Sequence, residues 1–221
     1  MEGDACAGVA RQLIAVGRVF YSRNWVLGSS GNFSAIASRE PFRLVITASG
    51  AQKGALSARD FLQLDQDGET PDASQQPSAE TAIHRAIIAE RGAGAVLHTH
   101  SVWATILSDA YAASGGLAIE GFEMLKGLSQ VRTHRHLEWL PILENSQDYL
   151  ALSRQVSQVL RGKPRVHGVL LRRHGLYAWG EDIHEAKRHV EVFEFLFEVL
   201  GHQLSLPKTL ERHSRGNSFH S

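Results

Sequence analysis

The chain has one cysteine, Cys6, among 221 residues, so no intrachain disulfide can form and a reducing compartment is expected. It has no charge excess. Lys+Arg and Asp+Glu are both 23, which removes the usual electrostatic basis for binding nucleic acid. The basic pairs Arg172-Arg173 and Lys187-Arg188 are too short to change that. No apolar run approaches the ~18 residues that suggest a membrane-spanning helix. The segment Met1-Glu2-Gly3-Asp4 is acidic and lacks the pattern of a signal peptide. A cytoplasmic protein with neither nucleic acid nor membrane as partner is the expectation. Internal repeats, a P-loop and a Gly-x-Gly-x-x-Gly fingerprint are also missing, which argues against the common nucleotide-binding designs. Hydrophobic content of 43% is that of an ordinary globular chain, long enough for one large domain over 1–221. The polar stretch from about 203 to 221 reads as a mobile tail.

Histidine, by contrast, is plentiful, with twelve in all. Two of them, His98 and His100, end the apolar run Ala95-Val96-Leu97-His98-Thr99-His100 after a glycine turn at Gly92 and Gly94. The run reads as a buried strand. Side chains alternate on a strand, so both imidazoles share one face and Thr99 takes the other. Further strands are expected at 33–37, 43–47, 139–143, 166–172 and 176–179. Helices are expected at 7–24, 101–107, 149–160 and 183–200, and another from an N-cap at Ser78 to about Arg91. Residues 65–77 read as a surface loop, and 109–135 carry no clear period. Interleaved strands and helices give an α/β class, with a mixed sheet sandwiched by helices.

Converging imidazoles suit a metal such as zinc, and a catalytic zinc commonly has three protein ligands. His174 is the best third ligand. It follows the apolar run Val169-Leu170-Leu171 and precedes Gly175, which permits close approach. The competitor is the pair His134/His136, whose neighbours Arg132, Thr133, Arg135 and Glu138 suggest a solvated segment instead. His84, His167 and His202 have no partner pattern and read as structural or exposed. Two acids could move protons beside such a metal. Glu80 lies at the start of the 78–91 helix. Glu123, in Phe122-Glu123-Met124-Leu125-Lys126-Gly127, has apolar neighbours that could raise its pKa. The small-residue turns Ser30-Gly31-Asn32 and Thr47-Ala48-Ser49-Gly50, with Lys53, offer hydroxyls, backbone N–H groups and a charge of the kind that cradle phosphate.

Five segments in order, Gly31-Asn32-Phe33-Ser34, Thr47-Ala48-Ser49-Gly50, Pro77-Ser78-Ala79-Glu80, His98-Thr99-His100 and Arg173-His174-Gly175, resemble the class II aldolase and adducin family. They span nearly the whole chain. The stretches Gly92–Ser101, Phe122–Gly127 and Leu171–Gly180 look like a branch of that family that dehydrates a ketose phosphate rather than its aldolases. The resemblance implies a three-layer α/β/α sandwich and one zinc per subunit on His98, His100 and His174. It also implies a sugar-phosphate substrate held by Ser30, Gly31, Asn32, Thr47, Ser49, Gly50, Lys53, Ser78 and Thr81. In the dehydratase branch Glu123 is the acid/base, while in the aldolases the position of Glu80 carries the working glutamate. Active sites of the family commonly lie between subunits of homotetramers, so an oligomer is expected. An aldolase or epimerase is the alternative reading, and a non-catalytic adducin-like module a more distant one.

Overall fold

Apolar runs of four to eight residues, too short for helices, build one eight-stranded sheet in a computed structural model that describes residues 2–70 and 76–205. The strands are β1 (Asn32–Arg39), β2 (Phe42–Thr47), β3 (Phe61–Leu64), β4 (Ala95–Thr99), β5 (Gly116–Ile119), β6 (Glu138–Leu143), β7 (Gly168–Leu171) and β8 (Gly175–Gly180). Their order across the sheet is β3-β2-β1-β4-β8-β7-β6-β5. Only β6 and β7 run parallel, so the sheet is mixed as expected.

The helices are α1 (Glu2–Ser22), α2 (Thr81–Arg91), α3 (Val102–Ala110), α4 (Tyr149–Gly162) and α5 (Ile183–Ser205). Period-two alternation gives the sheet two apolar faces. Ala95, Leu97, Leu176 and Ala178 join one core with α1, α3 and α5, through Leu13, Phe20, Leu107, Phe193 and Phe197. Val96, Tyr177 and Trp179 join a second core with α2 and α4, through Ile83, Ile87, Leu152 and Val156. This is the α/β/α sandwich, with helices on both faces of the sheet. Among the described residues no helix is long and apolar enough to cross a membrane. Residues 206–221, most of the expected tail, and 71–75 of the expected surface loop lie outside the described residues.

Two short strands went unforeseen. β3 has only four residues. β5 is small and glycine-led because Trp139 on β6 packs over Gly116, where a Cβ would meet its ring at 2.4 Å. The start of α2 also differs from expectation. Ser78 does not cap it; the helix begins at Thr81 with Glu80 at the N-cap. A β-bridge from Pro77 to Ala48 keeps the chain extended, and Ser78 then closes a tight turn, its Oγ accepting from the Glu80 N–H at 3.3 Å. The turn leaves the Glu80 carboxylate uninvolved in capping.

Candidate metal centre

The end of β4 and the start of β8 pair, Thr99 against Leu176, and so bring the histidines at their tips together. His98 Nε2 lies 2.8 Å from His100 Nε2 and 3.3 Å from His174 Nε2. The alternation read from sequence holds: Thr99 turns to the opposite face and donates to Glu194 Oε1 on α5 at 2.7 Å. Gly175 is required here, since a Cβ would stand 1.9 Å from the Thr99 carbonyl oxygen. Gly31 is required for a similar reason; its φ is +72° and a Cβ would stand 2.5 Å from the His98 carbonyl oxygen.

His174 reaches the site from the β7–β8 turn, where Arg173 adopts φ +53°. That left-handed geometry costs a non-glycine residue about 1–2 kcal/mol. Helix α3 holds it in place. Ser108 Oγ accepts from the Arg173 N–H, and Asp109 takes Arg172 Nε at 2.7 Å and Arg173 Nε at 3.0 Å.

Second contacts fix the ring tautomers. His98 Nδ1 donates to the Leu176 carbonyl at 2.9 Å, and His174 Nδ1 donates to Asn145 Oδ1 at 3.2 Å. Their Nε2 atoms therefore present lone pairs to each other, a repulsive arrangement that a shared cation relieves. Burial favours the neutral form of all three imidazoles, helped at His98 and His100 by the neighbouring rings and opposed at His174 by the Glu80 charge. His98 lies well below the ordinary histidine range, His100 falls to about 3, and His174 is also lowered. Neutral imidazoles with oriented outer nitrogens are the donors zinc takes, so the residues fit a metal. The Tyr177 ring stacks on His98 with centroids 3.8 Å apart.

Glu80 completes the cluster. Its Oε1 lies 3.2 Å from His174 Nε2 and its Oε2 3.5 Å from His98 Nε2. Asn32 Nδ2 donates to Glu80 Oε2, and His84 Nε2 donates to Asn32 Oδ1. Ser34 Oγ donates to His84 Nδ1 at 2.7 Å. Full burial drops His84 to about 3, so this imidazole stays neutral as a brace for Asn32. The Tyr149 and Tyr177 hydroxyls are raised by burial and then by the nearby Glu80 charge.

The turns expected to cradle phosphate gather beside Glu80. Lys53 is buried, its Nζ donating to the Ser29 and Ala51 carbonyls at 3.0 and 2.6 Å, so one side chain ties both turns together. Desolvation lowers it to about 8 against the pull of Glu80. Asn32 Nδ2 reaches Ser78 Oγ, and Thr81 Oγ1 donates to the Ser78 carbonyl. Ser30 donates to the Leu27 carbonyl, while Ser49 and Gly50 are exposed at the rim. Thr47 differs from the rest. It is fully buried, and its hydroxyl accepts the Phe33 N–H, tying β2 to β1.

Glu123 is not brought to the triad within one chain. It opens the 3-10 turn Glu123–Gly127 and is 70% exposed, paired with Lys126 at 2.6 Å. The expected upward pKa shift is reversed, because the Lys126 ammonium three residues on stabilises the carboxylate. Sequence reading missed Asn145, Tyr149, Tyr177 and Glu194. Asn145 carried a usable signal, since it follows a strand that ends at the same edge of the sheet.

Three histidines and a carboxylate thus meet at the strand ends of a mixed sheet, a donor set able to hold a metal ion. The chain belongs to the family described as Class II Aldolase and Adducin N-terminal domain, which matches residues 11–200. It is 40% identical over 201 residues to a methylthioribulose-1-phosphate dehydratase of Pseudomonas aeruginosa, covering 90% of this chain and 97% of that protein. It is 39% identical over 193 residues to the protein of the same name from Marinobacter nauticus, covering 87% and 92%. Among solved structures, the L-fuculose-1-phosphate aldolase of Thermus thermophilus superposes with TM-score 0.69 at 25% identity, covering 92% of this chain and 97% of that one.

Proposed function

We propose that the chain is a zinc-dependent hydro-lyase converting 5-methylthioribulose 1-phosphate to 5-methylthio-2,3-diketopentyl 1-phosphate in methionine salvage. The observation that carries this reading is the Glu80 carboxylate, 3.2 Å from His174 Nε2 in a triad of neutral imidazoles, in a chain similar to named dehydratases over most of its length. His98, His100 and His174 would hold the metal, which supplies a Lewis acid that polarises substrate oxygens and acidifies the adjoining C–H.

The chain's own groups do the rest. Lys53, the N–H groups of the two turns and the Ser30 and Ser49 hydroxyls, with Ser78 and Thr81, would take the phosphate and orient the sugar. A carboxylate removes the C3 proton, and the C4 hydroxyl leaves with a proton as water. The resulting C3 enol then gives up its hydroxyl proton and takes one at C4, which makes C3 the second ketone. Asn32 and His84 brace the Glu80 carboxylate, which supports Glu80 as the group for the first transfer. Glu123 keeps the acid/base role implied by its segment, and since it is exposed in the single chain, it would serve a site completed by a second copy. A homotetramer in the cytoplasm is the setting this reading favours.

The test is turnover of authentic methylthioribulose 1-phosphate with and without a chelator, beside a panel of other ketose phosphates. Chelator-sensitive formation of the diketone supports the reading. Carbon–carbon cleavage or epimerisation of another ketose phosphate, without dehydration, replaces it with an aldolase or epimerase.

A further inference from the structure

Across the sheet from the triad, three potential ligands meet that the proposed reaction does not use. Glu138 is the first residue of β6, and its carboxylate is 1% exposed. Its Oε2 lies 2.8 Å from His136 Nε2 and 3.0 Å from His167 Nδ1, while Oε1 accepts the His167 backbone N–H at 3.0 Å. β6 runs from here toward Leu143, at the triad's end of the sheet. Five residues of strand at ~3.4 Å each separate the two ends by about 17 Å. The clusters are therefore distinct.

The hydrogen-bond pattern around His167 shows what the cluster requires. Its Nε2 faces the Ser129 carbonyl at 2.9 Å, an acceptor only, so Nε2 carries a proton. In the neutral ring Nδ1 then has a lone pair pointing at a buried carboxylate oxygen. His136 Nε2 points at the same oxygen. Each contact needs a positive centre between nitrogen and oxygen, supplied by a proton on each ring or by one cation shared among all three. The neighbouring His189 shows the contrast. It donates from Nδ1 to the Trp179 carbonyl and accepts the Ser129 N–H at Nε2, so it is satisfied as a neutral ring.

We propose that His136, Glu138 and His167 form a second site for a divalent transition metal of the zinc type. The three ligand atoms all lie within 4.8 Å of one another. Bonds of about 2.0–2.1 Å in a tetrahedral site place ligand atoms roughly 3.3 Å apart, so the two nitrogen–oxygen contacts need to open by only a few tenths of an ångström, while the two imidazole nitrogens already lie within 4.8 Å of each other. Two imidazoles and one carboxylate are borderline donors that favour zinc over magnesium or calcium, which prefer oxygen. The His167–Ser129 bond is the outer contact that orients a metal-binding imidazole. Access comes from a groove of about 1700 Å³ whose rim includes Arg132, Arg135 and Arg165. Those cations favour an anion or hydroxide in the metal's open position. Bound metal would clip the loop before β6 to the loop before β7 and rigidify the segment running back to Ser129.

Cobalt is the probe, because a tetrahedral site gives it a strong visible absorption. In the full chain carrying His100→Ala and His174→Ala, the proposal expects one equivalent of cobalt with that absorption and a zinc-dependent rise in thermal midpoint. Adding His136→Gln, a partly exposed position, should remove both. A parallel measurement in the otherwise wild-type chain covers poor folding of the triad variant. There His136→Gln should lower bound zinc from two per chain to one while turnover persists. If wild-type zinc stays at one per chain, or if cobalt binding survives His136→Gln, the cluster is held by protons and the proposal fails.

Discussion

Thr99 Oγ1 donates to Glu194 Oε1 at 2.7 Å, from the face of β4 opposite the two imidazoles that flank it in sequence. Glu194 also takes the Ser101 hydroxyl, so one buried carboxylate on α5 grips the residues interleaved with His98 and His100. The grip fixes which way the strand end faces and therefore where the imidazoles point.

Holding that carboxylate has a pH-dependent cost. Burial raises Glu194 from 4.5 to about 7. Between those values the folded state binds its proton more tightly than the unfolded state does. The associated stability is present below about pH 4.5 and lost as pH rises through about 7. Glu194→Gln should abolish this component. Relative to wild type, the variant should gain about 1–3 kcal/mol between pH 5 and 8, at ~1.4 kcal/mol per pKa unit. Urea midpoints of both proteins at several pH values measure it, and a constant difference between them would show that Glu194 does not titrate in this range.

Gly175 predicts a coupled loss of stability and metal. Alanine there would drive its Cβ into the Thr99 carbonyl at 1.9 Å and against the His98 ring at 3.2 Å. Relief requires β8 to part from β4 where they hold the triad. Overpacking of this kind costs about 1–3 kcal/mol, and more where backbone is the obstacle. Gly175→Ala should therefore unfold at lower temperature and lose bound zinc, read by calorimetry and elemental analysis. Gly92→Ala is the comparison, since its Cβ would meet nothing within 4 Å and only its φ of +62° opposes it.

Lys53 makes substrate affinity depend on pH. Its buried ammonium titrates at about 8 in the folded chain, against 10.5 in the open. The unfolded state holds the proton more tightly, so stability rises between pH 8 and 10.5, while the charge available to a phosphate fades over the same range. KM should climb above pH 8 in wild type. In Lys53→Met it should be high throughout and flat over that interval. An unchanged KM in the variant would remove Lys53 from the phosphate site.

Local pattern was enough to read the triad, because period two is a property of the strand itself: apolar Ala95 to Leu97 declares the strand, and the alternation then aims His98 and His100. Gly175 likewise announces the close approach that His174 needs. What stayed hidden depends on distant partners. Glu194 is 95 residues from Thr99, and His84 reads as idle until Asn32 on β1 is laid beside it. His134-Arg135-His136 looked solvated because its neighbours are charged, yet Glu138 turns inward at the first position of β6 and takes His136 with it. The apolar neighbours of Glu123 suggested a raised pKa, but Lys126 one turn away governs the charge instead.

The two carboxylates can be told apart by where they act. Glu80 belongs to the same chain as the histidines it touches, whereas Glu123 is 70% exposed and would serve a site only from a neighbouring copy. Glu80→Gln and Glu123→Gln should each keep most bound zinc and lose most turnover, at least a hundredfold for removal of an acid/base group. Mixing separates them. Glu123→Gln chains co-expressed with His100→Ala chains should form some sites with an intact triad from one copy and an intact Glu123 from the other, and part of the activity should return. Glu80→Gln mixed with His100→Ala should recover nothing, since every site then lacks either the carboxylate or the imidazole. Near-normal turnover in Glu123→Gln alone would give the whole acid/base role to Glu80. Recovery in the Glu80 mixture would mean that Glu80 serves a triad other than its own, against the 3.2 Å contact that defines the centre.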